Sequence, residues 1–106
     1  DINPVTIGHT LVVPKSERVN ALESAIADVS ACWAVIQKIT PAIVKTTQSE
    51  GCNITTNIGE ASGQQVFHTH FHIIPRTTGD GLSLWPHTDV SQEELVFTAE
   101  QIRSQL

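Results

Sequence analysis

The stretch "VFHTHFHII", residues 66–74, places a histidine at every second position three times in succession. Successive side chains of a β-strand point to opposite faces, so His68, His70 and His72 share one face with Ile74. The other face carries mostly apolar side chains: Phe67, Thr69, Phe71 and Ile73. The alternation therefore predicts a half-buried strand, with one face in a core and the other carrying a row of imidazoles.

Two further segments have the composition of strands, "HTLVVPK" (9–15) and "CNITTNI" (52–58). The second is joined to the histidine strand by a short glycine-bearing turn, which predicts an antiparallel hairpin. Alternation in the first segment puts His9 on one face with Leu11 and Val13, so His9 can join the imidazole row if the strands are neighbours. Residues 77–83 are predicted to form a loop.

From Ala21 the apolar residues recur every three or four positions, which predicts a long helix that ends before Gly51 and buries Trp33. Pro41 either starts a new helix or kinks a continuous one, and the kink is the preferred interpretation. Ser91 and Glu94 form a capping box for a C-terminal helix over 91–104. The predicted class is a single α+β domain over 1–106, with a small antiparallel sheet arranged as a meander.

Charge and cysteine content narrow the possible partners. A net charge of −5 over 106 residues argues against binding nucleic acid or an anionic membrane through bulk charge. No apolar run reaches the ~20 residues of a transmembrane helix. Cys32 and Cys52 do not form a C-x-x-C pair, and we expect both to be reduced, buried thiols of a cytoplasmic protein.

Three explanations compete for the row of histidines. They are solvated side chains on a sheet face, ligands of a metal ion, or catalytic groups. In a strand, His68 and His72 lie about 13 Å apart at ~3.3 Å per residue, which is unfavourable for ligating one ion through short Zn–N bonds. No Asp, Glu or Cys alternates with them, so we expect no bound metal.

Nucleophilic catalysis on a phosphoryl group explains more of the stretch. A neutral imidazole is a good nucleophile near pH 7, and neighbouring imidazoles can donate to phosphate oxygens and pass protons. The preceding "ASGQQ" offers backbone N–H groups and the amides of Gln64 and Gln65, which can hold an anion without formal charge. This chemistry needs no cofactor.

The sequence "GQQVFHTHFHIIPR" resembles the histidine-triad motif, in which three alternating histidines are followed by two apolar residues. "DINPVTIGHTLVVPK" and "NIGEASGQ" resemble the family's other two recurrent blocks, in the same order, so the resemblance covers most of residues 1–76. It implies an α+β homodimer that hydrolyses or transfers purine nucleotides, such as phosphoramidates or dinucleoside polyphosphates. A non-catalytic nucleotide-binding or adaptor protein is the alternative.

The resemblance also implies roles for the histidines. His70 matches the nucleophile, which attacks the α-phosphate through Nε2 while its Nδ1–H is donated to a backbone carbonyl, expected to be that of His68. His72 matches the histidine that contacts phosphate oxygens, and His68 matches the first triad member. His9 matches a fourth histidine that supports the row.

Other matched positions would bind the nucleotide. Asn57 matches a phosphate or leaving-group contact, and Asp1 matches the acid that hydrogen-bonds the ribose hydroxyls. Gln65 departs from the family pattern, since many hydrolases carry Ser or Thr there to assist the leaving group, although glutamine can still donate an N–H.

Two parts of the chain are less informative. Family members usually carry a further segment with a strand ahead of "DINP", so we expect 1–106 to lack it. In some relatives the C-terminal segment reaches the partner's active site, but for Trp85 a packed surface position is at least as good an explanation. His87 is assigned no role.

Overall fold

A computed structural model describes residues 1–106. Its elements, in chain order, are β1 (Thr10–Val12), α1 (Ile26–Thr47), β2 (Gly51–Thr55), a 3₁₀ helix (Glu60–Ser62), β3 (Phe71–Arg76) and α2 (Gln92–Ser104). The predicted α+β class, with a small antiparallel sheet and two helices, is confirmed. Neither helix combines the length and the apolar character that a membrane span requires.

The three strands form one sheet in the order β1-β3-β2, and both pairings are antiparallel. The predicted pairing of β2 with the histidine strand is therefore confirmed. The meander is wrong, because β3 lies in the centre of the sheet and β1 and β2 are its two edges. The predicted short turn is also wrong, since residues 56–70 connect β2 to β3 and include the 3₁₀ helix.

The histidine strand is displaced from its predicted bounds of 66–74, because β3 begins only at Phe71 and ends at Arg76. The predicted alternation holds within it, since Phe71 and Ile73 are buried and His72 is half-buried. Phe67, which was predicted to face the core, is 50% exposed because it precedes the sheet.

The edge strands are shorter than predicted, with β1 at Thr10–Val12 and β2 at Gly51–Thr55. Each forms a ladder only where it runs beside β3. In β1, Val12 packs into the core while Leu11 is exposed, and Val13, which follows the strand, is exposed as well.

The long helix begins at Ile26 and not at Ala21, because residues before it form turns that include a side-chain cap by Asn20. It continues through Pro41 as one helix, as the preferred interpretation predicted. Thr40 Oγ1 donates to the Ile36 carbonyl at 2.6 Å one residue before the proline. The helix ends at Thr47 and is capped by Gln48, whose φ is 55°, so it ends before Gly51 as predicted.

The core lies between α1 and the face of the sheet that is opposite His72. Five buried apolar residues form it: Val12, Cys32, Ile36, Phe71 and Ile73. The predicted burial of Trp33 is wrong, since its side chain is 47% exposed. Cys32 and Ile36 centre the buried stripe, and one helical step of ~100° turns Trp33 away from it. Both cysteines are free thiols, but only Cys32 is buried as expected, since Cys52 lies in the edge strand β2 and is half-buried.

The second helix forms the predicted capping box, because Ser91 Oγ accepts from the Glu94 N–H and Glu94 Oε2 accepts from the Ser91 N–H. No residue of α2 is buried, and Leu95 and Ile102 are among its exposed apolar side chains. The radius of gyration is 16.7 Å, larger than the ~13 Å of a compact domain of this size. The helix therefore extends away from the body of the chain.

Candidate active site

His70 lies immediately before β3 and is fixed by the backbone of the same segment. Its Nδ1 is 2.6 Å from the carbonyl oxygen of His68, the partner that was expected. Since a carbonyl oxygen only accepts, Nδ1 must carry a hydrogen, and in the neutral imidazole Nε2 then holds the lone pair. Nε2 has no hydrogen-bond partner in the chain, so it is free to act as a nucleophile.

His72 and His9 are joined through their rings, because His9 Nε2 and His72 Nδ1 are 2.8 Å apart. The backbone N–H of Val5 donates to His9 Nδ1 at 3.1 Å, so His9 Nε2 carries the hydrogen and donates it to His72. The hydrogen of His72 is therefore on Nε2, which has no partner in the chain. The pairing of distant β1 and β3 thus sets the tautomer of His72.

Burial governs the charge of this pair. It lowers the pKa of His72, and the adjacent His70 and His9 lower it further. Burial also lowers the pKa of His9, whose residue surface is 5% exposed. Both rings are consequently neutral near pH 7, and His72 offers an N–H donor without bringing a buried charge.

The three rings form one cluster. The centroids of His70 and His72 are 4.9 Å apart in an edge-to-face arrangement, and those of His9 and His72 are 5.1 Å apart. The free Nε2 lone pair of His70 and the free Nε2–H of His72 therefore belong to adjacent rings. Such a pair can attack a phosphorus atom and donate to one of its oxygens.

His68 contributes to the cluster differently from its two neighbours. Its Nε2 donates to the Pro14 carbonyl at 3.0 Å, while its own carbonyl orients His70. Thr69 is 1% exposed, and its backbone N–H and hydroxyl both donate to the Arg18 carbonyl. The segment is thereby tied to the loop after β1. Thr69 was not identified as a site-supporting residue, although its place on the buried face of the alternation was the available signal.

Asp1 lies beside the imidazole cluster. Its Oδ2 is 3.8 Å from His9 Nδ1, its Oδ1 accepts from the backbone N–H of Asn3 at 2.9 Å, and its backbone nitrogen donates to the His9 carbonyl at 2.7 Å. The carboxylate is thus held at the edge of the imidazole cluster.

The two glutamines before the triad differ in what they can offer a ligand. Gln64 is 4% exposed, its Oε1 accepts from the Gly59 N–H, and its Nε2 donates to the Val19 and Val66 carbonyls. Its amide is therefore fully used in holding the loop. Gln65 is exposed and makes no hydrogen bond within the chain, so its amide remains available.

A cavity of about 570 Å³ opens beside His72. Asn57 lines it with an amide that has no hydrogen-bond partner in the chain. The cavity is also lined by residues to which the sequence assigned no binding role: Asn53, Thr55, Ile74, Arg76 and the segment 82–84. Trp85, for which a packed surface position was an equally good explanation, lines it as well. The alternation in the sequence already placed Ile74 on the face of His72, and extending it by two residues would have found Arg76 on the same face of β3.

One group of side chains is arranged so that it could contact a metal ion. Single ligand atoms of Asp1, His9 and His72 lie within 4.8 Å of one another. Both nitrogens of His9 already take part in hydrogen bonds, and Nδ1 of His72 does as well. An ion bound by all three residues would have to displace a bond of His9, so the geometry favours the hydrogen-bonded chain.

Comparison with known proteins gives a consistent result. The family model described as HIT domain matches residues 1–79. A protein of Arabidopsis thaliana named adenylylsulfatase HINT3 is 38% identical over 100 residues, which are 94% of this chain and 50% of that protein. A Schizosaccharomyces pombe protein named adenosine 5'-monophosphoramidase hnt1 is 34% identical over 108 residues, covering 100% of this chain and 78% of that one.

The fold is also that of solved relatives. A HIT family member from Bacillus subtilis superimposes with a TM-score of 0.86 at 35% identity, covering 100% of this chain and 78% of that one. The chain spans 50–60% of the length of several curated relatives that it matches. With the family model matching residues 1–79 and the triad cluster assembled as described, the chain belongs to the HIT domain family, the family of histidine-triad proteins.

Proposed function

We propose that this protein hydrolyses nucleoside 5'-phosphate derivatives through a nucleotidyl-histidine intermediate on His70. The observation that carries the proposal is the 2.6 Å hydrogen bond from His70 Nδ1 to the His68 carbonyl, which leaves the Nε2 lone pair free. In the first step, Nε2 forms a bond to the α-phosphorus. The bond to the leaving group breaks, and the leaving group departs with the electron pair and takes up a proton.

Water completes the cycle. It attacks the same phosphorus atom and loses a proton, and the electron pair of the P–N bond returns to His70 Nε2, releasing a nucleoside monophosphate. During both steps His72 Nε2–H donates to a phosphate oxygen that gains charge in the transition state. The donation is oriented in advance, because His9 holds the other nitrogen of the same ring.

The remaining contacts would hold the nucleotide. Asn57 and Gln65 have amides without protein partners and can donate to phosphate or leaving-group oxygens. Asp1 has a carboxylate beside His9 and can accept from the ribose hydroxyls. Gln64 acts through the loop that it stabilises.

The names of two relatives suggest two leaving groups to test, and the resemblance to the histidine-triad family adds a third. Adenosine 5'-phosphoramidate, adenylylsulfate and diadenosine polyphosphates would each be incubated with the protein, and AMP would be measured by chromatography. We expect AMP from at least one of them, and none from His70→Ala. Binding of AMP without turnover of any substrate would favour the alternative, a non-catalytic nucleotide-binding or adaptor protein.

The reaction is expected to proceed without a metal ion, since imidazole and amide donors meet the phosphate charge. Turnover should therefore survive dialysis against a chelator. Loss of activity on chelation and its recovery with zinc would contradict this and favour metal binding at Asp1, His9 and His72.

We also propose that the protein is a homodimer. The outer edges of β1 and β2 are unpaired in the chain, and α2 has exposed apolar side chains with no cover. Sedimentation at micromolar concentration should give twice the 11.5 kDa of one chain. A monomer under those conditions would refute the proposal.

A further inference from the structure

The carboxyl end of β3 carries an arginine whose donors are nearly all used. Arg76 donates from Nε and Nη2 to the two carboxylate oxygens of Asp80, at 2.7 and 3.1 Å. Nη1 donates to Asn53 Oδ1 at 2.7 Å, and Nη2 also donates to the Leu82 carbonyl at 3.1 Å. Four contacts of this kind hold the guanidinium in one position, and a bidentate pair with a carboxylate fixes its plane.

Asp80 extends the same network into the loop that follows β3. Its Oδ2 accepts from the Thr77 N–H at 3.2 Å, and its Oδ1 accepts from the Leu82 N–H at 3.0 Å. Residues 83–90 make no hydrogen bond with any part of the chain. The contacts of Leu82 are therefore the last polar anchor before the segment that continues towards α2.

That segment forms one wall of the cavity beside His72. Leu84 and Trp85 line the cavity together with Asn57, yet their surfaces are 76% and 82% exposed. A large apolar surface that faces polar catalytic groups and is left uncovered suits a ligand with a flat apolar part. The indole ring of Trp85 can stack on a planar aromatic group.

We propose that Arg76 and Asp80 are positioning residues, which fix the start of the 82–85 segment so that Leu84 and Trp85 contact a planar aromatic group of the substrate. The inference rests on the proposed nucleotide hydrolysis and extends it to substrate selection. The aromatic group has two possible sources, the nucleobase and an aromatic leaving group, and the experiment below separates them.

The kinetic arm compares adenosine 5'-phosphoramidate with its N-phenyl derivative, which adds an aromatic ring to the leaving group. Asp80→Asn and Arg76→Lys remove the bidentate pair while changing size little. If the ring contacts Trp85, both variants should raise KM for the N-phenyl substrate about tenfold and change kcat less than about twofold. Asp89→Asn removes the same charge from an exposed site without hydrogen bonds, and it should leave both constants unchanged.

A double substitution separates positioning from a general loss of structure. Trp85→Ala should reproduce the rise in KM, and Asp80→Asn combined with Trp85→Ala should be no worse than Trp85→Ala alone. If the two substitutions raise KM additively, Asp80 acts through something other than the cavity wall that Leu84 and Trp85 form. Because Trp85 is exposed and makes no hydrogen bond, Trp85→Ala remains informative even if Asp80→Asn fails to fold.

The binding arm does not depend on turnover. Trp33→Phe leaves Trp85 as the single tryptophan, and its fluorescence would be titrated with AMP, with ribose 5-phosphate and with the N-phenyl derivative. If AMP quenches the fluorescence of Trp85, ribose 5-phosphate does not, and Asp80→Asn weakens the quenching, the nucleobase is the group that contacts Trp85. Quenching that needs the N-phenyl ring assigns the leaving group.

The outcomes keep the two proposals distinct. A protein that turns over no substrate, but whose Trp85 fluorescence is quenched in a way that Asp80→Asn weakens, would refute the hydrolase and support the aromatic wall. Turnover with no effect of Asp80→Asn, Arg76→Lys or Trp85→Ala on KM, and no quenching of Trp85 by any ligand, would overturn the wall and leave the hydrolase intact.

Discussion

The two ends of β3 present polar groups on the same side of the sheet, but these groups differ in how many of their hydrogen bonds are made within the protein. At the amino end, His70 and His72 each have one nitrogen engaged and one free. At the carboxyl end, Arg76 has four hydrogen bonds to protein atoms, and both oxygens of Asp80 accept. The ring nitrogens without a protein partner at the amino end can bind a substrate. The donors and acceptors at the carboxyl end already have protein partners and can only hold the structure.

The largest expected effect tests the reactive end. His70→Ala should lower kcat/KM at least about 10³-fold, because no other group can form the covalent bond. Affinity for AMP should stay within about tenfold, or ~1.4 kcal/mol, since ribose, base and backbone contacts remain. Calorimetric titration and single-turnover assays measure the two quantities. An intermediate trapped on His68 or His72 would show that the wrong imidazole has been assigned.

His72→Ala should have the next largest effect and a different signature. It removes a donor to phosphate in both the ground and the transition state, so nucleotide binding and rate should both fall, with kcat/KM lower by about 10²-fold. His70→Ala combined with His72→Ala should cost scarcely more than His70→Ala alone, because the two act as a unit. A double variant whose losses multiply would contradict the shared step.

His9 tests whether the orientation of His72 matters. His9→Ala removes the hydrogen bond to His72 Nδ1 and should lower kcat about fivefold, from ~1 kcal/mol for a lost hydrogen bond. His9→Gln can still accept from the Val5 N–H and donate to His72, so it should recover most of the rate. Equal rates for the two variants would show that His9 only fills space.

The smallest expected effects are on the pH dependence of stability, which should differ between the two ends of β3. Burial lowers the folded-state pKa of His9 and His72 below the ~6.5 of the unfolded chain. Between these values the unfolded state binds more protons, so the free energy of unfolding should rise with pH up to about 6.5 and then level off. Denaturant titrations followed by circular dichroism measure this slope. His9→Gln should reduce it, and His87→Gln, an exposed control, should not.

The carboxyl end has its pH dependence in another range. Asp80 accepts hydrogen bonds from Arg76 and from the Leu82 N–H. These bonds, of which the one from Arg76 has the larger effect, hold the pKa of Asp80 well below its usual range. The stabilisation is present above about 3.9 and is lost only as the pH falls below that value. Asp80→Asn should therefore lower the free energy of unfolding at pH values above about 4, and the difference from the parent protein should shrink as the pH falls below that value. The slope of stability against pH near pH 6 should stay unchanged, and a change in that slope would show that the two ends are coupled.

Much of the fold follows from short-range patterns that the sequence contains. The capping box of Ser91 and Glu94 needs only residues three apart, and the continuous α1 follows from a stripe of apolar residues. The alternation of His70, His72 and their neighbours fixed which side chains share a face. These features were predictable because residues close in sequence determine them.

The predictions from the sequence failed where the contacts of a residue are made with parts of the chain that are far away in sequence. Trp33 satisfied the helical period but lies outside the core, because the position of the sheet decided which part of the stripe is buried. Gln64 resembled a ligand-binding amide, yet its side chain is used by Val19, 45 positions away. The central place of β3 likewise depends on the pairing of β1 with one of its edges and of β2 with the other.

By itself the sequence determined the family blocks, the row of alternating histidines and the two helices, since local spacing imposes them. Only the tertiary structure decided which nitrogen of each imidazole carries a hydrogen, because His72 receives its partner from His9, 63 positions earlier. It likewise decided that Arg76 would hold a loop and that Trp85 would line a cavity. Hydrogen-bond satisfaction depends on every group that the folded chain brings within about 3 Å, and no local pattern specifies that set.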